Sequence, residues 1–374
     1  MEVFRQMMNH CIRIGLENNC STLKGLSILS YHKLKHYNVL SYYKLNAISQ
    51  ACGRLAQRKK DIKKGRNPKP PYVQKPFLVS CYGFKINGML LSFPIKNREF
   101  TNILLNSYVT KAISDESIKV RSFTMTPTSI SISIQKEIKN FIPQKTIGID
   151  RNLRNVTFGN SEKVILVNTA ELLKIKENYT YIKSTFRRDD HRISKKIAGK
   201  FGIRQTRRIQ QRIHKISKVL VQCAKKQKVM IVFEDLKGIR KLYRKGNGQG
   251  KKFRRKLNSV SNFEIERQVT YKADWEGVPV CFENPRGTSQ CCPRCGGRLQ
   301  EDRLRRRDVW CSICKRWQDR DVVAAMNISY KGLARLTNPQ GDANEAMRGN
   351  PNSDSYQEPV ILRVDASKIA ELIL

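Results

Sequence analysis

The chain has 374 residues, 40% of them hydrophobic, which is long enough for two or three domains with a sizeable core. Its 72 Lys and Arg against 31 Asp and Glu give a formal charge of +41, far beyond what solubility requires, and such an excess points to a long polyanion whose phosphates supply the affinity. A membrane surface is the competing anion, but no apolar run reaches spanning length and the N-terminus lacks a signal-peptide core, so nucleic acid is the favoured partner and the expected location is the cytoplasm, on the nucleoid.

Residues 1–70 read as helical. "FRQMMNHCIRIGLENN" and "LSYYKLNAISQACGRLAQRKKDIKKG" both place apolar residues at helical spacing, and the second runs out into a charged, Pro- and Gly-broken linker. Residues 71–144 alternate instead, as in "KPFLVSCYGFKINGMLLSFPI" and "SFTMTPTSISISIQKEI", with Asn87-Gly88 as a hairpin signal, so a small β-rich module is expected. From 145 the chain changes again. "KTIGID", "NVTFGN" and "KVILVN" are three short strands; a basic helical stretch follows over 170–228; "VMIVFEDL" is a strand, "FEIERQVTYKADWEG" a helix, "VPVCFE" a strand and "DVVAAMNISYKGLARL" a last helix. Residues 336–374 turn polar and are expected to be disordered.

Four of the eleven cysteines form two Cys-x-x-Cys pairs, Cys292 with Cys295 and Cys311 with Cys314. Each pair sets two thiolates on one side of a tight turn, and two such knuckles complete a closed tetrahedral site, the pattern of a structural zinc ribbon. Cys291 breaks the two-residue spacing and is left out of the ligand set. The remaining cysteines, Cys11, Cys20, Cys52, Cys81, Cys223 and Cys281, are scattered among mostly apolar neighbours and read as buried free thiols in a reducing compartment. The loop between the knuckles carries Arg298, Arg303, Arg305, Arg306 and Arg307; on a chain this basic they are candidates for phosphate contact rather than a merely solvated face.

Three carboxylates stand at element ends. Asp150 closes the strand "TIGID", Glu234 closes "VMIVFE", and Asp321 opens the last helix. Each has an ordinary explanation: a turn cap, a strand-end surface residue, a helix N-cap. Their order argues otherwise. Three strands, helices, a strand, a helix, a strand and a last helix is the ribonuclease-H-like order, in which the first strand, the fourth strand and a late helix bring carboxylates to one edge. Three carboxylates so placed can hold two Mg²⁺ ions for phosphodiester hydrolysis, chemistry that needs hard oxygen ligands. The five histidines form no His-x-x-x-His pair, and neither a Gly-x-x-x-x-Gly-Lys-Ser/Thr phosphate loop nor a Gly-x-Ser-x-Gly elbow is present.

"IGIDRNLRNVTFGN", "IVFEDLKGIR", "NPRGTSQCCPRCGG" and "WQDRDVVAAMNIS" occur in that order, and together they resemble the TnpB family, transposon-encoded relatives of type V CRISPR effectors. The strong resemblance covers residues 145–333, and the helical start is similar to the family's recognition lobe. It implies an α/β RuvC (ribonuclease-H-like) nuclease domain with an inserted zinc ribbon, a helical recognition lobe over 1–70 and a β-rich, wedge-like module over 71–144. The nuclease domain would run over 145–285 with the basic helical insertion 170–228, resume over 321–335, and enclose the ribbon over 286–320. The implied activity is that of an RNA-guided DNA endonuclease, in which a transposon-derived guide RNA pairs with one DNA strand beside a transposon-adjacent motif and a single RuvC-type site cuts. The partners are that RNA and double- and single-stranded DNA, with no membrane, and the protein acts as a monomer on its RNA. By position, Asp150, Glu234 and Asp321 match the RuvC carboxylates that bind Mg²⁺, and Cys292, Cys295, Cys311 and Cys314 match the zinc ribbon. Arg320 matches a basic position near the scissile phosphate, and Asp319 is the weaker candidate for third metal ligand. The basic stretch 185–228 would line the guide–target duplex. Family members usually open with a basic β segment, whereas Met1 here lies almost directly on the first helix, so the alternative is a guided DNA-binding protein, repressor-like, with impaired cutting.

Overall fold

The structure is a computed structural model that describes residues 1–186, 196–239, 241, 248, 250–259, 262–302, 304–305, 307–338 and 358–372. It divides into two units, Met1–Glu137 and Ile138–Leu374.

In the first unit α1 (Glu2–Glu17) buries Phe4, Met7, Met8, Cys11, Ile12 and Ile14, a stripe at helical spacing. The short α2 (Leu23–Ser30) starts where the Thr22 side chain accepts the Gly25 N–H. Next comes α3 (Ser41–Lys63), which packs Tyr43, Ala47, Ile48, Ala51 and Leu55 into the same core as α1. Strands β1 (Leu78–Ser80), β2 (Lys85–Asn87), β3 (Leu90–Lys96) and β4 (Glu99–Leu104) follow. The hairpin expected at Asn87-Gly88 forms with Gly88-Met89 as its two-residue loop, because Asn87 still pairs with Leu90 and Gly88 takes φ +58°. One element of this region is not a strand: α4 (Ser107–Ile113) is set off by Asn106, whose side chain accepts the Val109 N–H at 2.9 Å. Then β5 (Ile118–Thr126) and β6 (Ser129–Lys136) join β1 in a sheet of order β1-β5-β6, while β2, β3 and β4 form a second.

The second unit is built on a six-stranded sheet. Its strands are β7 (Lys145–Arg151), β8 (Asn155–Gly159) and β9 (Lys163–Asn168), then β10 (Val229–Glu234) after helices α5 (Ala170–Ser184) and α6 (Ala198–Gln227), then β11 (Val280–Glu283) after α7 (Lys251–Ser259) and α8 (Asn262–Glu276). With β15 (Val360–Asp365) as the sixth strand, the order is β11-β10-β7-β8-β9-β15, with β8 antiparallel to both neighbours and the other pairings parallel. Period-two alternation sorts the faces. Ile147, Ile149, Ile231 and Phe233 meet Ile213, Ile216, Leu220 and Val269 of α6 and α8 in the main core. The opposite face, with Val164, Leu166, Met230 and Val232, packs on Val322, Ala325, Met326 and Ile328 of a single helix, α9 (Arg320–Thr337). Between β11 and α9 sits a small three-stranded sheet of β12 (Leu299–Glu301), β13 (Asp308–Cys311) and β14 (Arg316–Asp319).

The basic helical stretch expected over 170–228 holds two helices, α5 and α6, and residues 187–195 lie outside the described residues. One expectation needs correction. The tail from 336 is not irregular throughout. Residues 339–357, part of the segment expected to be disordered, lie outside the described residues, but Val360–Asp365 forms β15, paired in parallel with β9 from Val360↔Lys163 to Asp365↔Asn168. Ala366 and Ile369, just beyond it, are buried in the main core. "VILRVD" is an apolar run too short to stand out from its polar flanks, and a neighbouring strand edge completes it. Among the described residues no helix is long and apolar enough to cross a membrane.

Candidate active site

Alternation decides where the first two carboxylates go. Asp150 follows Gly148 on the face of β7 toward α9, and Glu234 follows Val232 on the same face of β10. The helix comes unusually close. A Cβ on Gly148 would lie 2.1 Å from the Ala325 carbonyl oxygen, and one on Gly332 would lie 2.3 Å from Val232. Only glycine permits that approach. The Thr146 hydroxyl donates to the Ser329 carbonyl at 2.7 Å and the Ser329 hydroxyl to the Thr146 carbonyl at 2.9 Å, which fixes the axial position of α9. Its first turn then delivers Asp321 to the same end of the sheet.

The ordinary explanation of Asp321 as a helix N-cap does not hold. Asp319 caps the helix, its Oδ1 accepting the Asp321 N–H at 3.0 Å, and its Oδ2 accepts from Arg363 at 3.0 Å. Asp319 is thereby committed to capping, and the Asp321 side chain turns to the carboxylates.

Asp150, Glu234 and Asp321 are all buried. Asn152 Nδ2 donates to Asp150 Oδ2 at 2.6 Å and to Asp321 Oδ1 at 2.9 Å; Asn155 Nδ2 and Arg307 Nη1 donate to Asp321 Oδ2 at 2.6 and 2.7 Å. The Thr288 hydroxyl donates to Glu234 Oε1 at 2.7 Å. Burial, then the negative charges of Glu234 and Asp321, push Asp150 up to about 8 against the Asn152 hydrogen bond. Burial also raises Glu234, opposed by Thr288, Arg151 and Lys331. Such a crowd of hard oxygen donors, one of them reluctant to ionise, suits a divalent cation of the Mg²⁺ type. The carboxylates are spaced more widely than the cysteines: among the described residues only the cysteine cluster brings one donor atom from each member within 4.8 Å of all the others. Asn152 stands between Asp150 and Asp321, its amide hydrogens balancing charge that a cation would otherwise balance.

The cysteines converge as their spacing requires. Cys292 and Cys314 Sγ lie 3.9 Å apart and Cys295 and Cys311 Sγ 3.5 Å apart, with none in a disulfide. Zn–S bonds of about 2.3 Å in a tetrahedron put the sulfurs at such separations. Burial works against the Cys292 thiolate, but Gln318 and backbone amides outweigh it and bring it down to about 7; burial and the neighbouring sulfurs raise Cys295 and Cys314. The Cys₄ cluster fits a structural zinc, closed to substrate. Of the other cysteines only Cys11 is fully buried, and Cys81 is exposed, contrary to the expectation of buried thiols.

The arginines scatter. Arg307 reaches Asp321. Arg305 lies over the Trp317 ring at 5.1 Å, Arg320 pairs with Glu301 at 3.0 Å, and Arg298 is exposed. Arg303 and Arg306 lie outside the described residues. Several participants were missed in the sequence. Asn152 sits in the turn after β7 and Asn155 opens β8, and their proximity to Asp150 in sequence was the signal. Asn327 and Lys331 are fully buried in α9 one turn apart, polar residues at helical spacing inside an apolar run. Asn327 donates to the carbonyls of Thr288 and Cys291, and Lys331 to those of Asn284 and Arg286, so the two pin the loop that carries Thr288 to Glu234. Arg151 donates to the Glu234 carbonyl at 2.6 Å and to Glu266 at 2.5 Å from behind the sheet end.

Residues 263–328, from α8 to the middle of α9, match the family described as Cas12f1-like, TNB domain. A TnpB-like protein of Methanocaldococcus jannaschii is 31% identical over 271 residues, 66% of this chain and 92% of that protein. A putative RNA-guided DNA endonuclease of Escherichia coli is 30% identical over 134 residues, 33% of this chain and 32% of that protein. Among solved structures, a Cas12f1–sgRNA–target DNA complex gives a TM-score of 0.39 at 14% identity, over 88% of this chain and 94% of that one.

Proposed function

The chain belongs to the TnpB family, and from that premise we propose that it is an RNA-guided DNA endonuclease whose single RuvC-type site cuts DNA by metal-dependent phosphodiester hydrolysis. The observation that carries the reading is the meeting of Asp150, Glu234 and Asp321, from β7, β10 and α9, at one end of a sheet whose first five strands have the ribonuclease-H-like order. The name borne by the Escherichia coli relative supports the same activity.

In this reading Asp150, Glu234 and Asp321 hold Mg²⁺. When bound, the metal supplies Lewis-acid activation of a water and charge neutralisation at the departing oxygen. The chain's own residues prepare the place. Thr288 sets the orientation of Glu234, Asn152 and Asn155 set that of Asp321, and Arg151 and Lys331 offset buried negative charge behind the site. Arg307 arrives from the ribbon at the point where a phosphate must also arrive, and its guanidinium is the group to transfer from Asp321 to a backbone oxygen. The charge of +41 serves the RNA and DNA backbones; the polar face of α6, opposite Ile209, Ile213, Ile216 and Leu220, is a rod of arginines and lysines suited to a guide–target duplex.

The test is to purify the protein co-expressed with its flanking DNA, sequence the RNA that comes with it, and add the complex to a randomised target library with Mg²⁺. Bound RNA with Mg²⁺-dependent cutting that Asp150→Ala abolishes is the expected result. Bound RNA without cutting by the unaltered chain would overturn the nuclease reading in favour of a guided DNA-binding protein.

A further inference from the structure

One cavity runs from Asp321, Asn155 and Arg307 to residues that have no part in that scheme. A space of about 420 Å³ opens next to Asp321, lined by Arg154 of the β7–β8 turn, Leu166 of β9, Arg363 of β15, Asp319 and Arg307. Its size lies within the range of small-ligand clefts, roughly 300–1,000 Å³. The register shows why Arg363 is there. Asp150 is paired with Thr157, Thr157 with Leu166, and Leu166 with Arg363. These four residues form one row across the sheet, so all four face the side that α9 covers. Three strand spacings of about 4.8 Å place the Arg363 backbone roughly 14 Å from that of Asp150. An arginine side chain covers part of that distance.

The strand that carries Arg363 is firmly held. Its six residues pair with β9, Ala366 and Ile369 lie in the main core, and Glu358, just before it, pairs with Arg316 of the zinc ribbon. A cation on such a strand is presented by a rigid element. Arg363 meets Asp319 Oδ2 at 3.0 Å yet keeps its side chain 66% exposed. The acids of the cavity are engaged: Asp319 caps α9, Asp321 takes Asn152, Asn155 and Arg307, and Asp365 accepts from Asn168 at 3.1 Å. Arg154 is exposed and has no ion pair among the described residues. Two exposed guanidiniums thus flank an open cleft on the row that ends at Asp150, the arrangement that receives an anionic backbone.

We propose that this cavity is a binding site for backbone phosphate of the DNA strand as it enters the carboxylates, with Arg363 and Arg154 gripping it a few nucleotides from the cut. The C-terminal strand is then part of the substrate-binding surface, and Arg363 is a binding residue, not a catalytic one. The proposal rests on the reading of Asp150, Glu234 and Asp321 as the cutting site.

The test uses the full chain with its co-purified RNA, in EDTA, and a fluorescein-labelled single-stranded DNA of about ten nucleotides that is not complementary to the guide, titrated between about 50 and 200 mM salt. Arg363→Ala is expected to weaken binding and to lower the slope of log K against log salt by about 0.7, the contribution of one phosphate contact on a single strand. Arg154→Ala should do the same, and Arg363→Lys should restore the slope, because a point charge at that place suffices. Unchanged slope and affinity in Arg363→Ala overturns the proposal. So does a loss that comes with a lowered melting temperature and that Arg363→Lys fails to rescue, since that is the mark of a purely structural ion pair with Asp319. The two readings fail separately. An unaltered complex that grips the probe through Arg363 but never cuts in Mg²⁺ removes the nuclease and keeps the phosphate site. An unaltered complex that cuts, with Arg363→Ala binding and cutting equally well, removes the phosphate site and keeps the nuclease.

Discussion

Arg307 Nη1 donates to Asp321 Oδ2 across 2.7 Å, from a side chain 55% exposed to one 7% exposed. The pair joins the ribbon to the first turn of α9 and occupies an oxygen that a cation would use. Because the guanidinium end is well solvated, the pair is worth about 1 kcal/mol at most. Arg307→Ala is therefore expected to tighten Mg²⁺ binding to the RNA-free protein by about five-fold, the equivalent of that energy, while weakening binding of single-stranded DNA. Calorimetric titration of Mg²⁺ checks it. Weaker Mg²⁺ binding in the variant would show that Arg307 supports the ligand geometry and does not compete with the metal.

The raised pKa of Asp150 sets a pH dependence for the metal-free protein. Its value when folded, about 8, lies above its ordinary unfolded value near 4, first through burial and then through Glu234 and Asp321. A group shifted in this direction adds stability that is complete below the unfolded value and is lost as pH rises through the folded one. The melting temperature in EDTA should therefore fall by several degrees between about pH 5 and pH 8, and Asp150→Asn should flatten that fall. A metal-free protein whose Asp150→Asn variant has the same pH profile as the parent would show that Asp150 is ionised throughout.

Gly148 and α9 give the sharpest test of how the site is assembled. A methyl group at Gly148 meets the Ala325 carbonyl at 2.1 Å and the Ser329 nitrogen at 2.5 Å, both backbone atoms that cannot swing aside. Gly148→Ala is expected to cost about 2–3 kcal/mol and, in the molecules that remain folded, to shift α9 enough to end cutting. Denaturant unfolding and cleavage assays on the same preparation measure the two effects. Full activity with unchanged stability would mean that α9 sits further from β7.

Much of this was legible in the sequence, for physical reasons that differ by element. The strands β7 to β10 were legible because apolar runs bounded by Gly, Asn and Asp leave few alternatives, and the cysteine cluster because ligand spacing is set by the metal. The three carboxylates were legible as element ends. What was not legible depends on contacts distant in sequence. Asp319 rather than Asp321 caps α9 because the chain enters from β14 with Asp319 at the turn. β15 is stable only because β9 offers an open edge. The short α4 rests on one capping side chain, Asn106, within a region of strong alternation. Arg307 could be named as a phosphate candidate from charge, but not its reach to a carboxylate fourteen positions later in the chain.

The ribbon supplies the last prediction. β14 ends at Asp319 and α9 begins at Arg320, with no residue between, and Val323 of α9 packs with Cys292, Leu299, Val309 and Cys311. A segment this small has little apolar core of its own, so metal binding and folding are expected to be one event. Removing zinc should then loosen the start of α9 and move Asp321. The purified protein is expected to carry one zinc per chain by metal analysis. Cys311→Ser should lower that content, change the fluorescence of Trp310 and Trp317, whose rings lie 5.3 Å apart across β13 and β14, and abolish cutting while RNA binding persists. Because Cys311 is paired with Arg316 on one side and Leu299 on the other, the substitution acts on the sheet as well as on the metal. Chelation of the unaltered protein separates the two effects. A zinc-free protein that keeps both its tryptophan spectrum and its cutting rate would show that the four cysteines are not a metal clip and that α9 is held by the six-stranded sheet alone.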